Sequence, residues 1–170
     1  VPLTPSLALK DGRPYLSFAV QGGDSQDQNL LQFFLNVVEF GMTVQQAVEA
    51  LANQRGEVIV PSGAAAANTL GLTTQVPVRS VYLTSGRSRT MNLGKQVVEL
   101  RHAPRWQLAL ANRPAGEAVR ALAWLGPERA EAALTTLKRK MPPGEFGELV
   151  AAAPQFPTWL AQSVGKAAYG

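Results

Sequence analysis

The dipeptide Asp11-Gly12, set between the strand-like runs LALK and YLSFAV, commits the start of the chain to a β-hairpin. A two-residue hairpin turn needs positive φ at both central positions, and Asp-Gly tolerates that at low cost. Pro14 has no N–H to donate, which places the start of the second strand near an edge. The glycine pair Gly22-Gly23 follows, in QGGDSQDQ. The spacing of Leu30, Leu31, Phe34, Leu35, Val37 and Val38 then predicts a helix with a broad apolar face. Asp24 or Ser25 caps its start, a better use of Asp24 and Asp27 than a general acid–base pair. Gly41 closes it, and Thr43 opens a second helix, VQQAVEALANQ, ending near Gly56.

Beyond Gly56 the pattern changes. EVIV reads as a short strand stopped by Pro61-Ser62-Gly63, and AAAANTLG as a small helix capped by Ser62 and ended at Gly71. Alanine carries no chemistry, so the run points to close helix packing rather than a ligand site. VRSVYLTSGRSRTMNLGKQVVELRHAP predicts a three-strand meander with turns at Ser85-Gly86 and Gly94-Lys95. The remainder is helical: 115–125 closed by Gly126-Pro127, then 128–140, 144–152 and 157–168. The overall expectation is an α+β chain: an N-terminal β-hairpin plus two helices, then a small β-meander with a helical C-terminal tail.

Of the 170 residues, 46% are hydrophobic, enough to bury a core, while 16% are charged. No window approaches the roughly 20 apolar residues of a membrane span, and the first residues show no signal peptide. Without cysteine, disulfides and thiol chemistry are excluded. One histidine, His102, and no suitable spacing of carboxylates leave no zinc site or serine triad, so neither metal nor cofactor is expected. The net charge of +4 is uneven: residues 1–50 carry −3 and residues 51–170 carry +7.

The candidate binding residues lie in the basic part. Arg79, Arg87, Arg89, Lys95, Arg101 and Arg105 sit on or beside the meander. Arg87 and Arg89 are two apart, so one strand face could present both, to an acidic protein surface or to phosphates. The same residues would also keep a small sheet soluble and its edges unpaired. His102, beside Pro104, reads as structural. Trp106, Trp124 and Trp159 read as core anchors of the helical tail, with Val119, Leu122 and Leu125 on one side of their helix. Lys138-Arg139-Lys140 suits a helix C-terminus.

Two resemblances divide the chain near residue 50. Residues 3 to 50, with Thr4-Pro5, Lys10-Asp11-Gly12, Gly22-Gly23-Asp24 and LQ..LN...FGM..Q.A.EA, resemble the small subunit of the gamma-glutamyltransferase family. That family consists of N-terminal-nucleophile hydrolases with an αββα sandwich. The resemblance implies an Ntn-hydrolase-like fragment in which Gly22 and Gly23 match the oxyanion-hole glycines. The family's threonine nucleophile has no counterpart here, so the match is vestigial and no residue is assigned as catalytic. Gln21 and Leu51 also stand where the family usually has proline.

Residues from about 44 to 169 resemble the C-terminal part of AbiEi-like antitoxins of the DUF6088 type, through RGEVIVPSGAAAANTLGLTTQVPVRSVYLTSGRSRTMNLGKQVVELRHAP and ALAWLG. Their DNA-reading winged helix has no counterpart, and VQQAVEALANQ fits both families. The domains implied are 1–50, transferase-like, and 51–170, antitoxin-like. The function implied is a cytoplasmic, type IV toxin–antitoxin protein that acts by binding and not catalysis. Its implied partner is a nucleotidyltransferase-like toxin, with weak nucleic-acid contact and no membrane association. The alternatives are a gamma-glutamyltransferase-family fragment and an inert chimera.

Overall fold

The computed structural model describes residues 3–21, 43–53, 56–93 and 96–170. The helix expected over residues 24–40, its cap at Asp24 or Ser25 and the glycines Gly22, Gly23 and Gly41 lie outside the described residues. The chain forms two compact units, Val1–Ile59 with Arg79–His102, and Val60–Val78 with Ala103–Gly170. The boundary near residue 50 divides sequence resemblances; the contacts divide the chain elsewhere.

In the first unit, β1 (Leu3–Lys10) and β2 (Arg13–Gln21) form the expected antiparallel hairpin. Asp11 at φ 54° and Gly12 at φ 72° make a turn whose twist matches that of the strands. The register shifts between Ala8 and Leu9, where Ala8 faces Leu16 and Leu9 faces Pro14. β2 is not an edge strand, because β5 (Arg89–Leu93) lies on its other side. Pro14 is nevertheless tolerated, since β5 pairs only with Phe18, Ala19 and Val20. Helix α1 (Val44–Asn53) opens with a reciprocal cap. The Gln46 N–H donates to Thr43 Oγ1 (3.3 Å) and the Thr43 N–H to Gln46 Oε1 (3.0 Å). It buries Ala47 and Val48 and is followed by Gly56 at φ 67°.

The expected meander is wrong in topology. The sheet order is β1-β2-β5-β6-β4-β3, with β4 at Ser80–Thr84, β6 at Gln96–His102 and β3 at Ile59–Pro61. The last strand of the three therefore lies between the first two, antiparallel to β5 and parallel to β4. A meander is the default because consecutive strands usually pair. Here β6 contributes Val98 and Leu100, both fully buried, and takes the central place between its predecessors. The link 85–88 must then cross the end of β6. The His102 N–H donates to Ser88 Oγ (2.9 Å), and the His102 ring binds the Gly86 carbonyl through Nδ1 (2.9 Å). Because a carbonyl only accepts, Nδ1 carries the proton.

The second unit is helical. Helix α2 (Gly63–Thr69) starts after Ser62, whose side chain makes no capping hydrogen bond, contrary to expectation. It ends as expected at Gly71 (φ 65°), with the Leu72 N–H reaching back to the Ala67 carbonyl at 2.8 Å. After the single turn α3 (Arg105–Leu108) come α4 (Pro114–Leu125), α5 (Pro127–Lys140), α6 (Pro143–Ala151), a 3-10 turn (Ala153–Gln155) and α7 (Thr158–Tyr169). Pro114, Pro127 and Pro143 each occupy a first helical position, where the missing N–H costs nothing.

The core of this unit joins Val119 and Leu122 of α4, Leu134 and Leu137 of α5, Leu149 of α6, and Leu160 and Val164 of α7. Trp106 meets Phe156 at 6.2 Å between ring centroids and Trp159 packs on the same core, as anchors should. Trp124 departs from expectation: it is exposed, with the Arg129 guanidinium 5.5 Å from its ring centroid. The alanine run packs Ala66 and Ala67 against Ala121, which is close helix packing.

Candidate functional site

The sheet of the first unit has two faces, and strand parity sorts the basic residues between them. On β6, Val98 and Leu100 are buried while Glu99 and Arg101 alternate with them. In the parallel register Tyr82 stands beside Leu100 and Thr84 beside His102, so β4 turns Tyr82 and Thr84 inward. In the antiparallel register Arg89 stands opposite Leu100 and Met91 opposite Val98, which sends Arg89 inward too.

The inward face holds a polar cluster. Arg89 clamps Glu57 with two nitrogens, Nη1 to Oε1 at 3.0 Å and Nη2 to Oε2 at 2.8 Å. Thr84 Oγ1 donates to Glu57 Oε2 (3.1 Å) and accepts the Gly86 N–H (3.0 Å). The Arg89 and Glu57 side chains are only 9% and 14% exposed, so neither is available to a partner. Gly86 belongs to the same arrangement, because a Cβ there would overlap the Glu57 carboxylate. Ser85 ties the link to the chain before β3: the Val58 N–H donates to Ser85 Oγ (2.9 Å), and the Ser85 N–H to the Val58 carbonyl (3.1 Å). This two-point carboxylate clamp fixes geometry and offers no free acid or base. Tyr82, beside it in the strand order, has its phenol pushed up by burial and by the charge of Glu49.

The outward face is the candidate binding surface. Glu99 holds two arginines, with Arg79 Nη1 on Oε1 at 3.1 Å and Arg101 Nη2 on Oε2 at 2.6 Å. The Arg101 hydrogen bond, then the one from Arg79, hold the Glu99 carboxyl below its usual range. Both arginine side chains stay open, 71% and 61% exposed, around a carboxylate that is 15% exposed. Two cations on one anion leave a net positive charge presented to solvent.

Of the residues picked out from sequence, Arg79 and Arg101 come together and Arg87 and Arg105 are exposed. Arg87 and Arg89 do not share a face: Arg87 precedes β5 in an exposed link, whereas Arg89 is turned into the Glu57 clamp. Lys95, Gly22 and Gly23 lie outside the described residues. Sequence reasoning missed Glu57 and Glu99. The alternation of Glu99 with Val98 and Leu100 marks it as outward, but nothing local marks Glu57, whose partner is 32 residues away. Among the described residues no cluster of three or more His, Cys, Asp or Glu side chains could hold a metal ion. No helix among them is long and apolar enough to cross a membrane.

Residues 37–141 match the model of a family of unknown function, DUF6088, and the chain belongs to that family. No curated protein and no solved structure matches it.

Proposed function

We propose that this protein is a cytoplasmic, antitoxin-like binding module that meets a nucleotidyltransferase-like toxin and does no chemistry of its own. The observation that carries this reading is the Arg79–Glu99–Arg101 arrangement, an open cationic pair bonded to one carboxylate on β6. Anchoring lowers the entropy that two long side chains lose on meeting an acidic surface. The resemblance of residues from about 44 to 169 to AbiEi-like antitoxins adds support. Contact with nucleic acid would be weak, independent of base sequence and sensitive to salt, because these guanidiniums suit phosphates as well as carboxylates.

The test is co-expression with candidate nucleotidyltransferase-like toxins encoded beside the gene. Rescue of growth, lost when Arg79→Glu and Arg101→Glu are combined in a chain of unchanged circular dichroism, is the expected result. Absence of rescue by the wild-type chain with every such toxin would overturn the reading.

A further inference from the structure

The second unit carries a groove of about 790 Å³ between α5 and α7, within the range of roughly 300–1,000 Å³ typical of ligand sites. Its hydroxyls are turned away from any guest. Thr135 Oγ1 donates to the Glu131 carbonyl (3.0 Å), Thr136 Oγ1 to the Ala132 carbonyl (3.1 Å), and Ser163 Oγ to the Trp159 carbonyl (2.9 Å). With those protons spent on their own helices, what these side chains offer the groove is mainly hydrocarbon.

The charge lies along the rim. Lys138 Nζ donates to the Ala167 carbonyl near the end of α7 (2.7 Å), and Lys166 Nζ pairs with Glu131 Oε1 (2.7 Å). Arg139, exposed on the same groove, makes no ion pair with a described residue. The run Lys138-Arg139-Lys140 thus reaches solvent with no described carboxylate in salt-bridge contact.

We propose that this groove docks an acidic, amphipathic segment of a protein partner. The apolar side of such a segment would lie along the threonine methyls and lysine stems, and a carboxylate would take the unmet fork of Arg139 in two-point contact. A nucleic-acid backbone fits less well, because it needs several free donors in a wet groove, whereas the hydroxyls here donate to their own helices and Lys138 and Lys166 are already bonded, which leaves Arg139. The site is on the other unit from Arg79 and Arg101, so the proposal stands or falls apart from the toxin reading.

The experiment is selection of a random twelve-residue peptide library on the full chain, followed by fluorescence anisotropy of the enriched peptides. The expected result is peptides with Asp or Glu flanking apolar residues. Their affinity should fall at least tenfold with Arg139→Glu and with Thr135→Trp, which fills the groove from an exposed position, and should not change with Arg79→Glu. If Arg139→Glu loses helical circular dichroism, Thr135→Trp carries the comparison. Failure to enrich peptides, enrichment of neutral or basic ones, or affinity unchanged by both groove variants would overturn the proposal. So would displacement of the peptides by equimolar single-stranded dT20, which would make the groove a nucleic-acid site.

Discussion

Glu145 on α6 accepts the backbone N–H of Ala115 at 3.1 Å, so the first turn of α4 is capped by a side chain thirty residues downstream. Its other oxygen takes Arg113 Nη2 at 3.2 Å. No side chain at the cap position does this work, since Arg113 makes no capping bond of its own. The Ala115 N–H, and then Arg113, hold the Glu145 carboxyl below its ordinary value of 4.5. A carboxylate with a depressed folded pKa stabilises the fold above its unfolded value and loses that contribution as pH falls through the folded one. Glu145→Gln should therefore lower Tm at pH 7, and the difference from wild type should shrink as the pH falls below 4.5 and through the lower folded value. A melting series from pH 7 to pH 3 checks both.

Removing Glu57 strands a largely buried guanidinium. Glu57→Ala leaves Arg89, 9% exposed, without its clamp and takes an acceptor from Thr84. The expected loss is about 3 kcal/mol by urea denaturation, the lower end of what breaking a buried ion pair costs. The double variant Glu57→Ala with Arg89→Met should lose less than Glu57→Ala alone, because no unpaired charge remains. An additive result would show that Arg89 gains nothing from Glu57.

The contact between α2 and α4 has no room at Gly63. A Cβ there would stand 2.5 Å from the Arg120 carbonyl oxygen and 2.6 Å from Trp124 Cβ, and backbone cannot give way as a side chain can. Gly63→Ala should cost about 1–3 kcal/mol as an overpacked contact, despite the better helix propensity of alanine. A Tm at or above wild type would show that the helices separate freely.

Arg120 is a buried cation that the fold does not satisfy. It is 1% exposed. Its Nη1 donates to the Ala111 carbonyl at 2.8 Å, whereas Nε and Nη2 have no hydrogen-bond partner among the described residues. Burial pushes its pKa down to about 10, with Glu117 opposing, so it is still charged at neutral pH. For a base whose folded pKa is depressed, the unfolded chain binds more protons between that value and the ordinary arginine value. The penalty is therefore complete at pH 7 and eases only as the pH rises through that window. Arg120→Met should raise stability at pH 7 by about 1 kcal/mol or more. A loss of stability instead would show that the charge is used.

The helical unit was readable almost to the residue, and the sheet was not. Pro114, Gly126-Pro127 and Pro143 punctuate the chain where helices begin and end, and these are local backbone effects that a sequence displays directly. The Asp11-Gly12 turn is legible for the same reason. Strand order is different, because a backbone ladder can form with any neighbour. The apolar alternation of β6 marks it as half-buried without saying that it goes between β5 and β4.

The same division runs through the candidate site. Sequence alone determined which cations the chain has and that the candidate ones gather on or beside the strands after residue 78. Only tertiary structure decided that Arg89 is consumed by Glu57, that Arg79 and Arg101 share Glu99, and that Trp124 faces solvent. The physical reason is range. Turn and cap energies depend on residues within a few positions. Arg79 and Arg89, by contrast, meet carboxylates 20 and 32 residues away, which only the folded sheet brings within hydrogen-bonding distance.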